Sequence, residues 1–281
     1  MKMAAIERKI IHVLSNNVVM TKLSSGKNSI AFGKGIGFKK QPGMSVIESE
    51  ITQEFLLHTM ETIEHYEQIL NNVDTRIVGI TEEVIAMAQQ RLEGEFSETI
   101  HAALVDHINF AIERCRRGVL ITNPFSYEIK LMYKEEYDVA SAAVNYLNEK
   151  LDAQLPEDEI AFLAMHFHGA RNRERGTETL AVVRLVAKIM DEARSIGLQF
   201  NDSFSSLRFI SHLKGLIDRI KKESHIKNPL LHRIQSEYPE SYERSLALSA
   251  ILEEHLKKPV PEDETGFLTL HIERFNQREQ L

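Results

Sequence analysis

The apolar positions change period once along the chain. From Ile10 to Phe38 they fall in short runs that are mostly β-branched or aromatic: Ile10 to Leu14, Val18 to Leu23, Ile30 to Phe32 and Ile36 to Phe38. Between them stand Ser15-Asn16-Asn17, Ser24-Ser25-Gly26-Lys27 and Gly33-Lys34-Gly35, which supply turn or bulge chemistry, and Pro42-Gly43 follows. This pattern predicts a small antiparallel sheet. A sheet of that size buries little apolar surface by itself, so it is expected to dimerise through one face. No helical period appears before about residue 51.

Beyond that point the pattern is helical. Ile108, Ala111, Ile112 and Cys115 follow His107 at helical spacing, and Leu213, Leu216, Ile217 and Ile220 follow His212 in the same way. Amphipathic helices are predicted from about Tyr137 to Leu151 and from Tyr242 to Leu256. Pro156 and Pro261 stand where proline opens a helix, with Glu157-Asp158-Glu159 and Glu262-Asp263-Glu264 in the first turn. Acids there complement the positive end of the helix dipole, which gives them a structural task.

These two helical stretches are copies of one another, offset by 105 residues. His107 recurs as His212 and His166 as His271, so both pairs are 59 residues apart. Arg114 matches Arg219, Asn123-Pro124 matches Asn228-Pro229, Tyr133 matches Tyr238, and Tyr137 matches Tyr242. The expected architecture is α+β and multidomain: a small antiparallel β domain over residues 1–60, then two homologous all-α helical bundles over 70–172 and 177–281. Copies of about 100 residues have the usual size of a domain.

Composition adds a compartment and a charge split. The one cysteine, Cys115, can form no internal disulfide, and no apolar run is long enough to span a bilayer, so a soluble, cytoplasmic protein is expected. The net charge is −7, but residues 1–50 carry eight bases and three acids, for +5, leaving −12 for the remainder. That asymmetry points to a polyanion partner for the basic end; a basic tail left by chance is the plain alternative.

The polar residues of the N-terminal sheet suit nucleic acid. Asn17 sits at a turn and can offer a paired donor and acceptor to a base edge. Lys34 lies between glycines that let a backbone come close, Phe38 can stack on a base, and Lys39 and Lys40 can neutralise phosphates. Each also has a plain reading, Gly33-Lys34-Gly35 as a β-bulge and Phe38 as core. No helix-turn-helix pattern is present, and Gly33-Lys34-Gly35-Ile36-Gly37 has the wrong order for a Walker loop. A sheet that reads single-stranded or bulged RNA fits better than a reader of the DNA major groove.

The duplicated histidines call for a chemistry. His166 and His271 fall about ten residues into the last predicted helix of each copy, on or near an apolar stripe, where one histidine is usually a hydrogen-bonded core residue. Recurrence in register argues for more, because duplicated cores drift by apolar swaps at modest cost. Metal binding lacks ligands: His168 is close, but its counterpart is Glu273, and no cysteine or His-x-x-x-His pair completes a site. Acid–base catalysis lacks a nucleophile or pocket that repeats. Reversible phosphorylation needs only an accessible ring nitrogen and a phosphodonor. The favoured reading is a switch, with no catalytic residue, metal or cofactor.

At this point a resemblance enters. Val13-Leu14-Ser15-Asn16-Asn17-Val18 and Gly33-Lys34-Gly35-Ile36-Gly37-Phe38-Lys39-Lys40 resemble the RNA-binding domain of the BglG/SacY/LicT-type transcriptional antiterminators. Asp106-His107-Ile108-Asn109-Phe110-Ala111-Ile112 and Pro156 through His166 resemble the family's first regulatory domain. Ser211-His212-Leu213 and Leu268 through Arg274 resemble its second. The resemblance implies a homodimer that binds a hairpin in nascent leader mRNA and blocks an overlapping terminator. It also implies control through histidine phosphorylation by the sugar phosphotransferase system, from the carrier HPr or a sugar-specific permease component. The regulatory histidines it implies are His107, His166, His212 and His271. Its RNA-facing residues are Asn17, Gly33, Lys34, Gly35 and Phe38, with Lys9 and His12 on the preceding strand.

This sequence departs from the family pattern in three places. Ser15 stands where the family often has the first of three asparagines, His12 where a lysine is frequent, and Lys34 where arginine is usual, which keeps the charge but loses the bidentate fork. Two rival readings are a DNA-binding activator bearing the same regulatory domains and an enzyme that relays phosphate through its histidines. The first would need a helical reader at the N-terminus, and the strand pattern argues against it.

Overall fold

A computed structural model describes residues 6–200, 204–224 and 226–276. Strands β1 (Glu7–Val13), β2 (Val18–Lys22), β3 (Asn28–Phe32), β4 (Ser45–Ile47) and β5 (Gln53–Leu57) form one sheet. Their order is β4-β1-β2-β3-β5, and all neighbours are antiparallel. Ser15-Asn16-Asn17 and Ser24-Ser25-Gly26-Lys27 turn the chain between β1, β2 and β3 as expected. A register shift between Ile10 and His12 marks an irregularity in β1.

The fourth apolar run departs from the expectation. Ile36–Phe38 forms no strand but a series of tight turns, in which Phe38 N–H donates to Gly35 O at 3.0 Å and Lys40 N–H to Gly37 O at 3.2 Å. Three glycines in five residues favour turns over a ladder, and Gly35 sits at φ +70°. The remaining two strands come from Ser45–Ile47 and Gln53–Leu57, so the helical part begins at Met60.

The sheet has two buried faces, separated by the period of two along each strand. Val18, Met20, Ile30, Phe32 and Leu57 pack with Tyr66, Ile69, Val78, Ala86, Ala102 and Val105 of the helices that follow. Ile10, Val19, Ala31 and Val46 form the second cluster, joined by Ile36 from the glycine loop. The apolar burial that the sheet's size demands is thus found partly within the chain.

Helices α1 (Met60–Asn72), α2 (Thr75–Arg91), α3 (Thr99–Arg116), α4 (Ser126–Met132), α5 (Lys134–Leu151) and α6 (Asp158–Asn172) cover the first copy. The second contains α7 (Gly176–Ser195), α8 (Phe204–Lys221), α9 (Leu231–Glu237), α10 (Pro239–Leu256) and α11 (Glu262–Asn276). The 105-residue offset is kept in three dimensions, since α3, α4 and α5 map onto α8, α9 and α10 residue for residue. Thr59 caps α1 by accepting the Thr62 N–H at 3.2 Å, and Asp74 caps α2 by accepting that of Arg76 at 2.8 Å.

The chain divides into two compact units. The first contains Met1–Asn123 and Glu135–Gly176, with α3 packed on α2 and α6; the second contains Pro124–Lys134 and Thr177–Leu281, with α8 packed on α11. The short helix α4 belongs to the second unit. There it lies on α8, with Lys214 Nζ 4.7 Å from the Tyr133 ring centre and Glu128 3.5 Å from Arg194.

Candidate functional site

Two sets of residues were singled out by sequence; the structure brings Asn17 onto the glycine loop and pairs His107 with His166 and His212 with His271. At the sheet, the Ser15–Asn17 turn and the glycine loop are bonded to one another. Gly33 N–H donates to Asn17 O and Gly37 N–H to Asn16 O, both at 3.0 Å, while Asn17 Oδ1 accepts the Gly35 N–H at 3.0 Å. One lone pair of the Asn17 amide is therefore committed to the loop. Gly37 is required by close approach: a Cβ there would lie 2.2 Å from Ser15 O.

Asn17, Lys34, Gly35 and Phe38 are exposed, whereas Gly33 is buried against Glu50. Phe38 is 57% exposed with Lys39 Nζ 5.3 Å from its ring centre, so it is not a core residue. Lys9 faces Lys22 across β1 and β2, and both are exposed. Like charges opposed across a ladder repel, and a bound polyanion relieves that repulsion. His12, opposite Met20, is half-buried.

In the first unit, α3 and α6 cross so that the His107 and His166 ring centres lie 4.9 Å apart. His107 Nε2 lies 2.8 Å from Glu159 Oε2, and Arg114 Nη2 donates to Glu159 Oε1 at 3.0 Å. The Glu159 side chain is only 2% exposed. Burial by itself would raise its pKa, but the bonds from His107 and Arg114 outweigh that and hold it below the usual carboxylate range. Burial first, and the neighbouring His107 second, take His166 down to about 3.

The second unit repeats this arrangement with one exchange. His212 and His271 stack with ring centres 4.5 Å apart. Glu264, the counterpart of Glu159, gives both oxygens to Arg219, at 2.6 and 2.8 Å. His212 Nε2 is consequently buried with no hydrogen-bond partner among the described residues. Burial and then Arg219 take His212 down to about 4; burial, then His212, Arg274 and Arg208, do the same to His271. A neutral imidazole keeps a lone pair on one ring nitrogen, which is what a phosphoryl acceptor needs.

The acids at the helix starts therefore do more than serve the dipole. Asp158 Oδ1 accepts the Asn123 N–H at 3.0 Å and Asp263 Oδ1 that of Asn228 at 2.9 Å, tying both Asn-Pro breaks to α6 and α11. Glu159 bonds both His107 and Arg114, whereas Glu264 bonds Arg219 alone, roles that sequence reading missed although each glutamate recurs with its arginine. His168 is a core histidine, its Nδ1 3.1 Å from Glu136 Oε1. Its counterpart Glu273 accepts the Ser241 hydroxyl at 2.7 Å, so the polarity of this contact is reversed between copies.

Residues 8–64 match the model of the CAT RNA binding domain, and residues 82–170 and 186–275 each match that of the PRD domain. The transcription antiterminator LicT of Bacillus subtilis (strain 168) is 30% identical over 271 residues, 95% of this chain and 98% of that protein. The PtsGHI operon antiterminator of the same strain is 35% identical over 270 residues, 95% of this chain and 96% of that one. A crystal structure of GlcT CAT-PRDI, 34% identical, covers 59% of this chain and 99% of its own, with a TM-score of 0.52. With both domain types matched in order and the relatives aligned almost end to end, the chain belongs to the family of transcription antiterminators that join a CAT RNA-binding domain to two PRD domains.

Proposed function

We propose that this protein is a sugar-responsive antiterminator that binds a hairpin in nascent leader mRNA and prevents the overlapping terminator from forming. It acts as a cytoplasmic homodimer without enzymatic activity, under phosphorylation of His107, His166, His212 and His271 by the sugar phosphotransferase system. HPr and a sugar-specific permease component are the phosphodonors. Asn17, Gly33, Lys34, Gly35 and Phe38, with Lys9 and His12, meet the RNA. The name of one relative, the β-glucoside operon antiterminator of Dickeya chrysanthemi, supports control of a sugar operon. Among the described residues no α-helix precedes Met60, which disfavours a helical DNA reader, and no helix is long and apolar enough to cross a membrane.

The observation that carries this reading is the paired imidazoles, at 4.9 and 4.5 Å, each with an arginine–glutamate pair beside it, in both PRD domains. A phosphate adds roughly two negative charges. In the first domain that charge falls next to the buried Glu159 carboxylate, so it repels and repacks α3 against α6. Without sugar, the permease phosphorylates His107 or His166 and loosens the regulatory dimer, so the sheets no longer present a joint surface. With sugar, this phosphate is drained, and HPr phosphorylates the second domain to favour the tight dimer. A leader-reporter assay tests this: replacing His107 and His166 by alanine is expected to make antitermination independent of the sugar, and full sugar dependence in that variant overturns the reading.

A further inference from the structure

Ser15 stands in the turn between β1 and β2, and its hydroxyl is doubly engaged. Ser15 Oγ accepts the Asn17 N–H at 3.1 Å and donates to Glu83 Oε1 at 2.9 Å. Glu83 lies on α2. Its other oxygen accepts the Tyr146 hydroxyl, from α5, at 2.6 Å. Burial first, and Glu83 second, push the Tyr146 hydroxyl well above its ordinary value, so it remains a donor at any physiological pH.

The backbone is shaped for this contact. A Cβ at Gly79 of α2 would lie 2.2 Å from Leu14 O and 2.9 Å from Ser15 Cβ, so the helix reaches the turn only because residue 79 is glycine. From Ser15 the bonding continues through Asn17, whose Oδ1 holds the Gly35 N–H. One connected set of hydrogen bonds thus runs from α5 and α2 of the first PRD domain into the glycine loop. Asn17, Gly33 and Lys34 share a crevice of about 320 Å³ with Glu83, Gln90 and Tyr146. Asn17 and Lys34 stay exposed, so α2 flanks the RNA-facing residues and does not cover them.

We infer that Glu83 is a positioning residue for RNA recognition: through Ser15 it fixes Asn17 and Gly35 in place before RNA arrives, and so writes the packing of α2 and α5 into the RNA-facing turn. The inference rests on the reading that Asn17 and the glycine loop face RNA. Ordering these groups in advance removes that cost from binding. Glu83 and Tyr146 come from different helices of the regulatory bundle. Any repacking that shifts α2 against α5 therefore reaches the loop through the shared carboxylate.

The test uses the full chain and a fluorescent hairpin RNA enriched from a randomised pool on the wild-type protein. Glu83→Ala and Ser15→Ala are each expected to weaken binding about tenfold, the usual worth of a hydrogen bond to a charged group. Both speed amide exchange over residues 15–17 and 33–37 without RNA. Tyr146→Phe, which keeps the carboxylate, gives a smaller loss in the same direction and serves if Glu83→Ala fails to fold. Ser15→Asn restores binding, because its amide can both donate to Glu83 and accept from Asn17. If Asn17→Ala abolishes binding while Glu83→Ala and Ser15→Ala bind and exchange like wild type, the inference alone is overturned. A pool that yields no hairpin binder overturns it together with the RNA reading of the sheet.

Discussion

Acidifying the protein from pH 7.5 to 5.5 is expected to leave His166, His212 and His271 neutral while weakening the fold. At pH 5.5 a histidine at its ordinary value of 6.5 is about 90% protonated, whereas one at about 4 is only about 3% protonated. The folded value lies below the unfolded one for all three. Their stabilising contribution is therefore complete above pH 6.5 and is lost as the pH falls toward 4, because the unfolded chain takes up protons that the folded one refuses. Down to pH 5.5 that amounts to about 1.4 kcal/mol per histidine. The second unit holds two of the three and is expected to lose about twice as much as the first, which holds His166. Imidazole nitrogen NMR of the full chain, assigned with single His→Gln variants among its 12 histidines, reads the protonation directly. Amide exchange resolved to each unit reads the stability. Imidazolium signals from His212 and His271 at pH 5.5 would refute the account of their burial, and with it the proposal that they act as neutral phosphoryl acceptors.

Two further outcomes follow from the geometry. A double-mutant cycle between His107→Ala and Glu159→Ala is expected to couple by about 1.5–3 kcal/mol, while the cycle between His212→Ala and Glu264→Ala is close to additive, because Glu264 gives both oxygens to Arg219. Urea titration read by amide exchange in each unit measures both, and equal couplings would show that the difference between copies has no energetic weight. Gly37→Ala forces a Cβ to within 2.2 Å of Ser15 O, so it is expected to displace the glycine loop and weaken hairpin binding more than tenfold without altering helix melting. Gly176→Ala, with nothing near its Cβ and no positive φ, is the tolerated control.

The sheet, the helices and the duplication were legible in the sequence because each depends on local rules. A period of two gives β1 to β3, a period of 3.6 gives α3, α5 and α6, and turn residues stand where the chain reverses. Ile36 to Phe38 misled because its apolar residues are spaced like a strand, while glycine freedom and the bonds to Asn16 and Asn17 favour a folded loop. Phe38 lies outside the core for the same reason.

What the sequence by itself determined is that two imidazoles recur in register behind a basic sheet, and which residues begin and break the helices around them. Only the tertiary structure decided what those imidazoles touch. His107 and Glu159 are 52 residues apart, and no local propensity specifies their contact; the crossing of α3 on α6 does. The same crossing of α8 on α11 leaves His212 without that partner, since Arg219 takes both carboxylate oxygens. A hydrogen bond is made or lost over a few tenths of an ångström, a distance fixed by side-chain packing and invisible in a pattern that the two copies share.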